Sequence, residues 1–216
     1  MKVRRASAGA AIVAVLTGGL GTATAEAGPA ERGAPTCYGE IVTIVWNDGA
    51  VATEGADVIL GTDGDDVIYG LGGQDLVCAE GGEDYVYGGE AGDQVHGGDG
   101  PDWIYGDGGN DNLQGVFGDD HLYGGVGRDL VNGNNGGDYV LGGGGLDSVF
   151  GGPGADDVQG GGGGDQVNGQ HGNDQVRGDG GDDLLIGGPE TDSCFGGAGQ
   201  DEARTCEATG GVPRLR

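Results

Sequence analysis

Between residues 52 and 204 an aspartate recurs at every ninth position: Asp57, Asp66, Asp75, Asp84, Asp93, Asp102, Asp111, Asp120, Asp129, Asp138, Asp147, Asp156, Asp165, Asp174, Asp183, Asp192 and Asp201. Each stands among glycines, two places before a core-type position, as in GGDGPDWIY, where Asp102 precedes Ile104. Carboxylates held in one phase, without clustered His or Cys, are hard oxygen ligands. Such ligands suit Ca²⁺, which accepts six to eight oxygens flexibly, better than Mg²⁺, which insists on an octahedron and keeps its waters. A single aspartate in such a setting could simply close an Asx turn. Seventeen in phase point to cation binding.

The elements that position these carboxylates follow from the same period. From Ala52 to Arg204 the chain divides into 17 nonapeptides without insertion. Position six is always Asp, position four is Gly except at Ala91 and Glu190, and position one is Gly except at Ala52 and Ala79. Strict phase separates the segment from a flexible glycine-rich linker, and glycine does not recur every third residue as collagen requires. Six residues such as Gly97–Asp102 read as a tight turn whose glycines permit positive φ. Trp103–Tyr105 then reads as a three-residue strand with Ile104 inward and its neighbours outward. Two units close one coil, so residue i lies over residue i+18 at about 4.8 Å. The expected architecture is all-β: a right-handed, two-sheet parallel solenoid, 18 residues per coil, with a column of aspartates along each edge.

GGDGPDWIY and its neighbours resemble the RTX, or haemolysin-type, calcium-binding nonapeptide, over residues 52–204. The resemblance implies a parallel β-roll. It also implies Ca²⁺ ions held between turns one coil apart by position-six aspartates and backbone carbonyls, Asp66 sharing an ion with Asp84, Asp75 with Asp93, and so on to Asp183 with Asp201. Seventeen turns contain 15 such pairs, or up to about 15 ions. Ala91 and Glu190 are expected to strain their turns. One apolar side chain per nine residues buries too little to offset the ordering of nine backbones, and stacked carboxylates repel, so folding is expected to require the metal.

Composition agrees. Fifty-seven glycines in 216 residues and only 6% aromatics rule out an ordinary globular core. The formal charge of −27 argues against nucleic acid and anionic membranes as partners, and for bound cations. Residues 1–25 read as a secretory signal peptide: Lys2, Arg4 and Arg5, an uncharged stretch from Ala6 to Leu20, and small residues permitting cleavage after Ala25 or Ala27. Arg4-Arg5 leaves both the general and the twin-arginine export routes open. The stretch is too short to span a bilayer, so a secreted, extracellular protein with no membrane span is expected. Four cysteines in an oxidising compartment favour disulfides. Of three possible pairings, Cys37–Cys78 and Cys194–Cys206 are preferred, one near each end. Within 26–51, the run EIVTIVW (Glu40–Trp46) reads as a strand capping the first coil, and 205–216 as a C-terminal cap with a disordered tip.

Six of the seven tyrosines and one tryptophan fall outward on one sheet: Tyr69, Tyr85, Tyr87, Trp103, Tyr105, Tyr123 and Tyr139. Aromatics favour strands and stack in ladders for structural reasons alone. They could equally form a contact surface for a glycan, a cell-wall polymer or a protein. No H-E-x-x-H or G-x-S-x-G motif occurs, and His96, His121 and His171 are dispersed and read as surface residues, so no enzyme activity is expected. RTX repeats often accompany a catalytic or toxin domain, but 26–51 is too short to be one. Two functions remain: a secreted calcium-binding module, or an adhesion or polysaccharide-binding module using the aromatic face.

Overall fold

The computed structural model describes residues 36–37, 39–41, 44–45 and 52–210. The expected signal peptide, Trp46 and other parts of the capping segment, and the tail from 211 lie outside the described residues. Among the described residues every regular element is a strand. Odd-numbered nonapeptides contribute to a ten-stranded sheet running from Ile44–Val45 through Val58–Thr62 and its successors to Glu202–Arg204. Even-numbered ones form a nine-stranded sheet from Val67–Tyr69, completed by Ala208–Gly210. Within the repeats all pairing is parallel at an offset of 18: Ile104 sits between Val86 and Leu122, and Leu113 between Val95 and Val131.

The core is a double file of position-eight side chains. From Ile59 and Ile68 through Leu122 to Leu185, Cys194 and Ala203, none is more than 3% exposed. Each unit thus buries one apolar side chain between the sheets, and the hydrogen-bond ladder carries the rest of the architecture.

The strands are longer than the three residues expected. Trp103–Gly108 and Asn112–Phe117 are typical, because the ladder runs on through the next unit's first three residues, pairing Gly89 with Asp107 and Glu90 with Gly108. Only positions four to six remain as the turn.

The ends depart from the regular offset. EIVTIVW is not one strand: Glu40–Ile41 turns back antiparallel on Thr36–Cys37, and Ile44–Val45 lies parallel to Val58–Thr62 at an offset of 15. Ala208–Gly210 pairs with Ser193–Phe195 at the same offset of 15. Cys37 is bonded to Cys78 and Cys194 to Cys206, each with Cα atoms 5.9 Å apart. Among the described residues no helix is long and apolar enough to cross a membrane.

Candidate metal centres

The turn at positions four to six places each position-six aspartate at the seam between the sheets. Nine form one column, from Asp57 to Asp201, and eight the other, from Asp66 to Asp192; none is more than 8% exposed. Each backbone is tied into the ladder. The carbonyl of Asp84 accepts from Trp103 N–H at 2.8 Å, and the N–H of Asp102 donates to Oδ1 of Asp120 at 2.8 Å. The second pattern runs from Asp57 N–H on Asp75 Oδ1 to Asp183 N–H on Asp201 Oδ1. One carboxylate oxygen thus replaces a ladder carbonyl at every turn.

The other oxygen is left over. Oδ2 of the fifteen aspartates from Asp75 to Asp201 is buried and accepts no hydrogen bond. A buried anionic oxygen without a partner is expensive, and cations are the usual means of compensating it. Asp57 and Asp66 stand apart: their Oδ2 atoms accept from the backbone N–H and hydroxyl of Thr53 and of Thr62, at 2.7–2.9 Å.

The orphaned oxygens face the position-one glycines. A side-chain carbon built at Gly106 would lie 2.5 Å from Asp111 Oδ2 and 2.4 Å from the Gly124 carbonyl oxygen one coil on. At Gly178 the corresponding distances are 2.3 Å to Asp183 Oδ2 and 2.6 Å to Gly196 O. Glycine is needed here for space, since its φ is not positive. The positive φ values fall at positions two and four. Ala91 and Glu190 at position four adopt φ of 79°, so they hold a conformation costly for non-glycine residues, as expected.

Burial pushes the carboxyl pKa values up. Asp102 rises to about 8, and Asp111, Asp120 and Asp156 to about 7. Loss of water is the main cause; the backbone hydrogen bond on Oδ1 opposes it, and neighbouring aspartates add a smaller upward push. Repulsion along the columns is therefore secondary to desolvation.

Among the described residues no three His, Cys, Asp or Glu side chains gather into a preassembled cluster. A cation here would draw most of its ligands from main-chain carbonyls, with the aspartate Oδ2 supplying the charge. That all-oxygen donor set fits Ca²⁺.

Several residues escaped the sequence reading. Asp65, Asn110, Asp119, Asn173 and Asp182, all at position five, accept the N–H of residue i+18 at 2.8–3.1 Å, a second side-chain ladder whose trace is the recurrent Asp-Asp or Asn-Asp pair. Thr53 and Thr62 are visible only as threonines four places before an aspartate. His96 is not a surface residue: its ring is buried, and desolvation pulls its pKa down to about 4.

The aromatic residues do share one face. Tyr69, Tyr87, Tyr105 and Tyr123 stack at 4.8–5.0 Å with planes within 7° of parallel. Beside them Tyr85, Trp103, His121 and Tyr139 form a second column. The rings cover one another's faces, so solvent meets mainly edges and hydroxyls.

The family model of the RTX calcium-binding nonapeptide repeat, in four copies, matches residues 51–86, 87–122, 105–140, 114–149, 132–167 and 168–203. Comparison with curated proteins finds no match.

Proposed function

The chain belongs to the RTX calcium-binding nonapeptide repeat family, and on that premise we propose that it is a secreted protein whose roll closes around Ca²⁺ seated between stacked GGxGxD turns. The carrying observation is the set of fifteen buried, unpartnered Oδ2 atoms, one at each level from Asp75 to Asp201. When bound, the cation supplies positive charge to a seam that otherwise holds only oxygens. The aspartates bind it with Oδ2 while Oδ1 keeps the register of the coils. The position-one glycines leave room beside the carbonyls. Secretion is supported by the basic, apolar and small-residue order of the first 27 residues and by two disulfides, which persist in oxidising compartments. The role proposed is structural and binding rather than catalytic.

Native mass spectrometry of the calcium-loaded protein tests this reading. Wild type is expected to carry up to about fifteen ions, and Asp111→Asn, which keeps an oxygen for the Asp93 N–H, fewer. A wild type that takes up no calcium would refute it.

The stacked aromatic stripe favours a second reading, an extracellular adhesion or polysaccharide-binding module. The position-seven and position-nine residues from Val67 to Leu141 on this sheet include no acid, in a chain of net charge −27, although the exposed Glu90 and Asp107 stand beside the stripe. Because the ring faces are taken up by each other, contact would run through phenol hydroxyls and ring edges rather than through sugars stacked on rings. Retention on cell-wall polysaccharide that Trp103→Ala and Tyr105→Ala abolish would support it; a wild type that is not retained would exclude it.

A further inference from the structure

The regular repeat stops at Arg204, yet the seam continues for one more level. Eighteen residues beyond Asp192 stands Gly210, which has no carboxylate. The chain instead reaches its next strand through Thr205-Cys206-Glu207, three residues in place of six, which is why Ala208 pairs with Ser193 at an offset of 15. The shortened turn keeps the functions of the full one. A side-chain carbon at Gly187 would lie 2.5 Å from Thr205 O and 2.6 Å from Asp192 Oδ2, the same pair of oxygens, at nearly the same distances, as at Gly106. Glu207 Oε2 accepts the Asp192 N–H at 2.6 Å, the task that an aspartate Oδ1 performs at the levels below. The Glu207 N–H returns a bond to Asp192 O at 3.1 Å, and Thr205 Oγ accepts from Gly188 N–H at 2.9 Å. Asp192 itself has no exposure to solvent, and its Oδ2 has no partner. Cys206, between Thr205 and Glu207, is tied to Cys194 in the core file.

We propose that TCEATG, residues 205–210, is a truncated eighteenth unit, and that Glu207 pairs with Asp192 to hold one further Ca²⁺ at the C-terminal end of the column, with the Thr205 carbonyl as a ligand. Thr205 and Glu207 lie outside the nonapeptide pattern and beyond the residues the family model matches, which end at 203; Asp192 is the last position-six aspartate of its column. Its carboxylates are a glutamate and an aspartate 15 residues apart, which suits a turn three residues shorter: the longer glutamate side chain covers the distance the missing residues leave. The inference rests on the reading that the unpartnered Oδ2 atoms receive calcium.

The test compares calcium-loaded wild type with Glu207→Gln, which keeps an oxygen for the Asp192 N–H but removes the charge. Native mass spectrometry is expected to show one ion fewer in the variant, with the far-UV circular dichroism of the repeats unchanged. Hydrogen exchange supplies a second readout: calcium should protect the amides of 205–210 in wild type and no longer do so in Glu207→Gln, while protection of the coils up to 192 persists. An unchanged ion count with unchanged protection of 205–210 overturns the eighteenth-unit site while leaving the repeat sites standing. A wild type that binds no calcium overturns both.

Discussion

At the scale of single residues, the repeat assigns each position a separate physical demand. At most turns position four combines positive φ with a close backbone approach: at Gly127 a Cβ would lie 1.4 Å from the Gly109 carbonyl oxygen. Gly127→Ala should therefore cost about 3 kcal/mol or more, read as a lowered urea midpoint of the calcium-loaded protein. Gly144→Ala, where nothing lies within 4 Å, should be nearly neutral. Val116 carries the opposite signal, a β-branched residue at φ 93°. Strain of about 1–3 kcal/mol, less the entropy that glycine loses on folding, leaves Val116→Gly more stable by about 1 kcal/mol in the same assay. The aspartates give a pH dependence with a definite sign. Their folded pKa values are raised, to about 6 at Asp75 and Asp84 and about 8 at Asp102, so the folded metal-free roll holds more protons than the unfolded chain. The stability that protonation contributes is complete below the ordinary carboxylate value of 3.8 and is lost as pH rises towards about 8. Chelator-treated protein, largely unfolded at pH 8, should gain far-UV β signal as the pH is lowered to 5, and calcium, which must displace those protons, should bind more weakly at pH 6 than at pH 8. A metal-free β signal that grows as pH rises would contradict this origin for the shifts.

At the scale of the element, the nonapeptide was legible because its periods coincide: Asp at position six, an aliphatic at position eight and glycine at positions one and four. The coil of 18, the inward file and the aspartate columns all follow from that phase. The division of labour among the glycines did not, since a sequence does not distinguish glycine chosen for φ from glycine chosen for space. Gly106 and Gly127 look alike in a string of letters and serve different ends. Strand length was hidden for a similar reason: glycines at positions one to three read as turn, yet they stay in the ladder once a neighbouring coil is present to pair with. The ends were least legible. Offsets of 15 at Ile44 and Ala208 break the period, and no count in nines finds Glu207. The disulfides secure these irregular ends, and chain-entropy reasoning ranks them. Cys37–Cys78 closes a separation of 41 residues and Cys194–Cys206 one of 12, so their removal should cost about 4 and about 3 kcal/mol respectively. Thermal unfolding of Cys37→Ser/Cys78→Ser and Cys194→Ser/Cys206→Ser in saturating calcium checks the order. Each pair carries an added penalty, because serine places a hydroxyl at a buried position, that of Cys37 in the first and of Cys194 in the second.

At the scale of the whole molecule, a chain with 36 acidic residues against nine basic ones folds two columns of carboxylates into its interior seams. One buried apolar side chain per unit cannot compensate for that, and the two ion pairs found among the described residues, Arg177–Asp157 and Arg204–Glu202, lie at the surface, where such pairs contribute little. The stacked rings from Tyr69 to Tyr139 add cohesion to half of one sheet. The remaining favourable contribution is the cation. Because each coil touches only its neighbours, occupancy of one level organises the next, and folding should propagate cooperatively along the roll. The most direct test is a calcium titration of chelator-stripped protein followed by far-UV circular dichroism, with magnesium as the comparison. A steep rise of β signal with calcium and none with magnesium at equal concentration is the predicted result. A signal that is already fully β before any metal is added would contradict it, and would mean that the disulfides and side-chain ladders alone hold the roll.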